Sequence, residues 1–312
     1  MSTIVTLTMN PALDACAEVD VVVPQHKLRC HSVRRDAGGG GINVARVVRR
    51  LGGNPLAIMP VGGPIGRMLV SELDREQVAH LAIPIAGDTR EDWTIDEGST
   101  GKQYRFVLPG PALTSAETAS CLSAVRANAA RAQYLVASGS LPPGVSSGFY
   151  RELATGLGDA KLVLDASGAA LREALEGRVH LIKPSLRELE DLVGHPLPSR
   201  ASQLAAARAL CERGTTCYVA LTLGAEGAIL VGPDLALAAT SPLVVPKSTV
   251  GAGDSFLGTL VWALAQSLPL ADAFRLAVAG GAAALLAPGT ELCQAADVRK
   301  LAGEVAIEPL QG

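Results

Sequence analysis

The chain reads as an α/β protein: a mostly parallel β-sheet covered by helices, with a small β-sheet lid. Three observations lead there. From residue 134 onward short apolar runs alternate with amphipathic segments, the rhythm of a parallel sheet whose strands are joined by crossover helices. Two glycine-rich stretches, at 38–43 and 249–254, each open a helical pattern. Two polar, β-rich excursions, about 15–37 and 86–108, interrupt the rhythm and form the expected lid.

With 312 residues and 48% hydrophobic content, the chain can bury a large core, and no internal repeat or clean linker divides it. One domain over 1–312 is expected. The net charge is −3 and no long Lys/Arg run is present, which argues against a nucleic-acid partner. No apolar run reaches the 18 to 20 residues or so of a membrane span, and the chain begins with a strand pattern instead of a leader. A cytoplasmic protein acting on small molecules, with no membrane partner, is the expectation. The six cysteines lack C-x-x-C spacing and are expected to be reduced, mostly core thiols, and the five histidines lack ligand spacing.

In chain order, 4–9 is an opening strand closed by Asn10-Pro11. Asp14 follows the strand's carboxyl end, where open parallel sheets bind ligands, so it either holds substrate hydroxyls or is a solvated loop residue. The β-rich run 19–23 and Lys27-Leu28-Arg29-Cys30 suggest a hairpin standing off the body, in which Lys27 either meets a phosphate or is solvated. Gly38-Gly39-Gly40-Gly41-Ile42-Asn43 then opens a helix whose buried face is Val44, Val47, Val48 and Leu51, with Gly52-Gly53 as its stop. Four glycines are costly to order, so a backbone surface pressed against a polyol is expected, with Asn43 bonding a hydroxyl.

Strand 56–61, a turn at 62–64 and helix 65–77 restore the alternation. The second excursion holds strands 94–96 and 104–107; Arg90 and Arg105 would give it positive charge for a substrate phosphate, though either also reads as a surface residue. Strand 134–137, turn 138–144, helix 147–157, strand 162–165, helix 169–176, strand 180–183, helices 186–193 and 201–213 and strand 218–223 complete the pattern. Several of these strands end in chemistry. Asp165 closes one, and Lys183-Pro184-Ser185-Leu186-Arg187-Glu188 the next. Glu188, near a helix start, either orients Mg²⁺ through water or simply suits the helix dipole. The glycine turn 224–227 could bring backbone close to a nucleotide.

The organising stretch is Thr249-Val250-Gly251-Ala252-Gly253-Asp254. It follows the apolar run 243–245 and opens a helix with Leu257, Leu260, Val261, Leu264 and Leu268 on one face. Unpaired N–H groups and the positive end of the dipole make such a turn an anion site. An Asp there either caps the helix or takes a proton from a hydroxyl while the amides hold the charge of a transferring phosphoryl group. Neither a G-x-x-x-x-G-K-[ST] loop nor a strand-G-x-G-x-x-G-helix fingerprint is present. The helix 277–286, rich in Ala and Gly, should pack closely against the one after Asp254.

Gly38-Gly39-Gly40-Gly41-Ile42-Asn43-Val44-Ala45-Arg46 together with Thr249-Val250-Gly251-Ala252-Gly253-Asp254-Ser255 resemble the two signature regions of the PfkB, or ribokinase-like, sugar kinases. Thr6-Leu7-Thr8, Lys27-Leu28-Arg29-Cys30, 103–107 and Ser138-Gly139-Ser140-Leu141-Pro142-Pro143-Gly144 are similar, more narrowly, to the branch that acts on fructose 6-phosphate, 1-phosphofructose and tagatose 6-phosphate. The resemblance implies a ribokinase-like three-layer sandwich and transfer of phosphate from MgATP to a sugar phosphate. It implies that Asp254 is the base and that the amides of Gly251, Ala252 and Gly253 hold the moving phosphoryl group. Asp14, Gly38, Gly39, Asn43, Ser138, Gly139 and Ser140 would hold the sugar, with Lys27, Arg90 and Arg105 at its phosphate. Lys183, Ser185, Glu188, Thr222, Gly224, Gly227 and Ser248 would line the ATP site, and backbone at Ser248 and Val250 a monovalent cation, K⁺. Pairing of lids would give a homodimer. Two departures stand out: Ser185 replaces the Asn of an Asn-x-x-Glu pattern, and Ala287-Pro288 replaces a polar pair near the adenine. The alternatives are a tagatose-6-phosphate kinase, a 1-phosphofructokinase, or a sugar-phosphate binding protein without catalysis.

Overall fold

Strands rich in Val, Leu and Ile without polar alternation are buried on both faces, and a sheet of such strands needs helices on either side. The computed structural model, which describes residues 4–310, has that arrangement. β1 (Ile4–Leu7) leads into β2 (Ala12–Val19) and β3 (His31–Gly38), and the chain returns through α1 (Gly40–Arg50), β4 (Leu56–Val61), α2 (Gly63–Arg75) and β5 (Ala79–Pro84). A second excursion forms β6 (Arg90–Glu97) and β7 (Gln103–Phe106), and α3 (Ser115–Ala129) runs back to β8 (Tyr134–Ser138). Then come α4 (Phe149–Ala154), β9 (Lys161–Asp165), α5 (Gly168–Ala174), β10 (Val179–Ile182), α6 (Leu186–Val193), α7 (Arg200–Glu212) and β11 (Thr216–Thr222). A 3₁₀ turn at Gly224–Glu226 precedes β12 (Ala228–Gly232) and β13 (Leu235–Ala239), and α8 (Ala252–Ala265), α9 (Leu270–Ala284), α10 (Ala295–Ala302) and β14 (Ile307–Pro309) close the chain.

The main sheet has ten strands in the order β14-β13-β12-β11-β10-β9-β8-β1-β4-β5. From β11 to β5 every neighbouring pair is parallel, whereas β12, β13 and β14 pair antiparallel at one edge. Alternate residues feed opposite cores: Leu135 and Ala137 pack with residues of α3, α4, α5, α6 and α7, while Tyr134 and Val136 pack with α1, α8, α9 and α10. Helices on both faces make this the expected three-layer sandwich. The small sheet, order β3-β2-β6-β7, is separate, and β2 and β6 are parallel partners at its centre. Among the described residues no helix is long and apolar enough to cross a membrane.

Several expected elements are corrected. The run 19–23 is not a strand: Val19 ends β2 and 20–30 is an irregular connection. Past Val19 the pairing gives way to the turn at 98–99, whose Ser99 N donates to the Asp20 carbonyl; Val22 N donates to the Glu97 side chain, and Pro24 can donate to nothing. The small sheet therefore begins and ends at Ala12–Gly38 and Arg90–Phe106 and not at 15–37 and 86–108. The apolar run 243–245 is irregular, since Pro242 and Pro246 flank it; Leu243 and Val245 are exposed and only Val244 packs against the core. Of the cysteines, Cys16, Cys121 and Cys293 are buried thiols, but Cys30 and Cys217 are exposed.

The two signature helices lie against each other. α1 and α8 meet at Gly258, where an added Cβ would stand 2.8 Å from Val47 side-chain atoms and 3.1 Å from the Val44 carbonyl oxygen. Likewise a Cβ on Gly280 of α9 would lie 2.3 Å from Thr259 Oγ1 of α8, so the expected close packing of these two helices depends on missing side chains. Gly258→Ala gains about 1 kcal/mol of helix propensity but forces an overpacked contact costing about 1–3 kcal/mol. We expect a net fall in stability, read as a lower urea midpoint; an unchanged or higher midpoint would show that α1 yields freely.

Candidate active site

The cleft opens where β8, β9 and β10 end and where α1 and α8 begin. Gly40, Ser138, Gly139, Ser140, Asp165, Ala166, Ser167, Glu188 and Asp254 line a hollow of about 270 Å³. This is the position that parallel sheets favour, beyond the carboxyl ends of the strands.

Asp254 stands in the first turn of α8. The turn before it is sharp because Gly251 takes a left-handed φ of 75°, and any Cβ there would meet Leu292 at 2.5 Å. Asn43, in the first turn of α1, donates from Nδ2 to Asp254 Oδ2 at 2.9 Å, so the two signature stretches meet directly. Burial, reinforced by Asp165, pushes the Asp254 carboxyl up to about 6, against the Asn43 hydrogen bond and the charges of Lys183 and Arg105. Ala252 and Gly253 complete the turn, and a Cβ on Gly253 would stand 3.5 Å from Lys183 Nζ.

Lys183 is buried and pairs with Asp165 Oδ1 at 3.1 Å, while Ser138 Oγ donates to Asp165 Oδ2 at 3.2 Å. Burial works against the Lys183 charge, but Asp165, with Glu188 and Asp254 beyond it, holds its pKa above the usual lysine value. Glu188 and Ser185 form a reciprocal cap at the start of α6: Ser185 N and Oγ donate to Glu188 Oε2 at 2.7 and 2.9 Å, and Glu188 N donates to Ser185 Oγ at 3.4 Å. Both side-chain bonds fall on Oε2, leaving Oε1 for the cleft.

The glycines at 38–41 are explained first by the protein itself. A Cβ on Gly38 would overlap the Asp14 carboxylate at 2.1 Å, one on Gly40 the Ser138 hydroxyl at 2.1 Å, and one on Gly41 the Leu7 carbonyl oxygen at 2.4 Å. Gly39 adds a φ of 105° beside Thr8. The four glycines thus allow a tight seam between α1, β1 and β8, with Asp14 at its rim, whatever ligand lies against it. A Cβ on Gly227 would stand 1.9 Å from the Ala239 carbonyl oxygen, so a chain crossing already requires glycine there. Gly224 of the same turn is exposed and has open space around it.

Asp14, on β2, is pushed up to about 7 by burial and by Asp92, against the charges of Arg46, Arg90 and Arg105. Arg90 reaches the Leu108 and Asn10 carbonyls at 2.8 and 3.1 Å and pairs with Asp92 at 3.1 Å. Arg105 is exposed on β7, and Lys27 lies on the exposed 20–30 connection with no hydrogen bond to the cleft. Thr222 Oγ1 donates to the Pro184 carbonyl at 3.4 Å. The Ser248 hydroxyl donates to the Gly289 carbonyl at 2.7 Å and accepts from Val250 N at 3.2 Å, which shapes the loop before α8. Asp165, which closes a strand as expected at this edge of a parallel sheet, gains its place in the site from Lys183 and Ser138. Arg46 carried no signal in the sequence, since a lone Arg on an apolar helix face looks like surface.

Comparison with known proteins agrees with this geometry. Residues 7–297 match the pfkB family carbohydrate kinases. The chain belongs to that family. Among curated pfkB relatives, the ATP-dependent 6-phosphofructokinase isozyme 2 of Mycobacterium tuberculosis is 46% identical over 99% of this chain and 91% of its own length. The isozyme 2 of Escherichia coli is 38% identical, with 96% and 98% covered. Among solved structures, the E. coli phosphofructokinase-2 in complex with potassium superposes with a TM-score of 0.93 at 37% identity, covering 97% of this chain and 99% of that one. The pfkB fold thus accounts for both sheets, and the chain is a carbohydrate kinase.

Burial raises the Asp254 carboxyl to about 6 and the Asp14 carboxyl to about 7; if the reaction needs both ionised, kcat/KM should fall as pH drops through 7 and 6. A profile that stays flat down to pH 5 would contradict the burial of these groups.

Proposed function

We propose that this protein is an ATP-dependent 6-phosphofructokinase, transferring phosphate to the C1 hydroxyl of fructose 6-phosphate to give fructose 1,6-bisphosphate. The observation that carries the reading is the Asn43–Asp254 hydrogen bond at the N-terminus of α8, a carboxylate held beside free backbone amides. The C1 oxygen bonds to the γ-phosphorus as the bond to the ADP oxygen breaks, and Asp254 carries off the hydroxyl proton. The amides of Gly251, Ala252 and Gly253 face the charge on the moving group. Asp14, Asn43, Gly38 and Gly39 hold the sugar, with Ser138, Gly139 and Ser140 along its other side. Arg90, Arg105 and Lys27 recognise its phosphate. The relatives named phosphofructokinase support the substrate class.

Lys183, Ser185, Thr222, Gly224 and Ser248 belong to the ATP side of the cleft. Its hollow and charge suit a metal nucleotide: Glu188 lines it with one carboxylate oxygen outside the α6 cap. Mg²⁺ held there through water would neutralise phosphate charge; a single carboxylate suits an ion that keeps most of its water. The cap also answers the departure at Ser185, since Ser fixes Glu188 as an N-cap should. The backbone at Ser248 and Val250 would hold K⁺, the ion named in the E. coli complex.

The small sheet is the lid of a single α/β domain, and the exposed Val33 and Phe106 on it favour a homodimer paired through the lids. The E. coli phosphofructokinase-2 has a tetrameric inhibited form. The enzyme works in the cytoplasm, where its phosphorylated substrates are retained.

A coupled assay with ATP against fructose 6-phosphate, 1-phosphofructose, tagatose 6-phosphate and free fructose tests the assignment. The highest kcat/KM is expected for fructose 6-phosphate; preference for another sugar moves the protein within the family, and no turnover on any makes it a binding protein. Asp254→Asn should keep the fold and lower kcat by at least about 10² to 10⁴, the usual worth of a positioned base; near-normal turnover would remove that role. Arg90→Ala should raise KM for the phosphorylated sugar, and an equal loss with free fructose would show that Arg90 does not read the phosphate.

A further inference from the structure

Arg46 lies one turn along α1 from Asn43 and is 1% exposed. A buried guanidinium persists only where acceptors surround it. Here Nη1 donates to the Ala37 carbonyl at 2.8 Å and to Asn43 Oδ1 at 3.3 Å. Nε and Nη2 grip the Glu76 carboxylate at 3.0 and 2.6 Å, and Nη2 also reaches Asp36 Oδ1 at 3.4 Å. A guanidinium has no acceptor and an ionised carboxylate no donor. The Asn43 amide between them therefore has one sensible orientation: oxygen toward Arg46, NH₂ toward Asp254.

We propose that Arg46 is a positioning residue for phosphoryl transfer, which by holding Asn43 Oδ1 aims the Asn43 amide at Asp254 and keeps that carboxylate ready to accept the sugar proton. The inference rests on the reading of Asp254 as the base. Asp36 and Glu76 anchor Arg46 from β3 and from the end of α2, so the aim of Asn43 is set from behind, by groups that never touch substrate. The other charges acting at Asp254 are Asp165 at the end of β9, Lys183 past β10 and Arg105 on β7, with Glu188 of α6 lining the same cleft. All of these remain when Arg46 is removed. Removing Arg46 also removes its pull on the Asp14 carboxyl, so a shift in the acid limb of the pH profile speaks for positioning only where it disappears on the Asn43→Ala background; a shift through Asp14 would add to that of Asn43→Ala.

The test is the pH dependence of kcat at saturating ATP and fructose 6-phosphate for the full chain. Losing a charged hydrogen bond raises a carboxylate pKa by about one unit, so Asn43→Ala should move the acid limb up by that amount. Arg46→Met should shift it similarly, with turnover at pH 6 falling about fivefold. Arg46→Lys, which keeps the charge without the planar fork, should shift it less. In the double variant the Arg46 change should add little to Asn43→Ala, as for two residues in one chain of contacts. A wild-type limb in a folded Arg46 variant, full additivity, or no shift in Asn43→Ala overturns the proposal. Should neither Arg46 variant fold, Glu76→Gln at the partly exposed end of the network replaces them, and an unmoved limb there overturns it equally. Asp254→Asn separates the two claims: retained turnover defeats the base, whereas an inactive Asp254→Asn beside an unmoved Arg46 limb defeats only the role of Arg46.

Discussion

The catalytic end depends on two helices, α1 and α8, lying close enough for Asn43 to reach Asp254. These residues are 211 positions apart in the chain, and their 2.9 Å bond closes the cleft floor. The closeness has a plain steric origin in Gly258, against which Val47 packs. Local turn chemistry then does the rest. Gly39 and Gly251 both take positive φ just before their helices, so both helices start at the same hollow, which Gly40 and Asp254 line.

Electrostatically the floor is held in tension. Asp14, Asp165 and Asp254 are all pushed toward their neutral forms by burial, and a lysine and three arginines counter this from different elements. Without substrate such a floor is costly, because three carboxylates lie where water is scarce. That cost suits the cleft of a carbohydrate kinase, where polar ligands would offer these groups partners. The Ser185–Glu188 cap belongs to the same economy of means: a single carboxylate both starts α6 and faces the cleft.

Much of this was legible from residue patterns. Alternation from 134 to 223 gave the parallel sheet because doubly covered strands are apolar throughout, and the glycine turns identified both helix starts at the site. What escaped has physical causes. α3 buries only Cys121, Leu122, Val125 and Ala129, a face too small and soft to stand out among its Ser, Thr and Ala. The hairpin β12–β13 and the edge strand β14 take their identity from pairing, a long-range fact. Arg46 and Asp165 depend wholly on tertiary partners: the same two residues on a surface would carry no role. Conversely, the run 19–23 looked like a strand from composition, yet only Val19 belongs to one, as the end of β2.

The stretch Gly38 to Gly41 has a consequence for how such an enzyme can diverge. Its missing side chains are volumes already taken by Asp14, Thr8, Ser138 and Leu7, so these four codons are frozen by the scaffold whatever sugar is bound. Arg105 on β7 and Lys27 on the exposed 20–30 connection fill no such volume. Substitution there meets no packed neighbour of this kind, whereas any side chain added to the inner seam must first displace part of the scaffold.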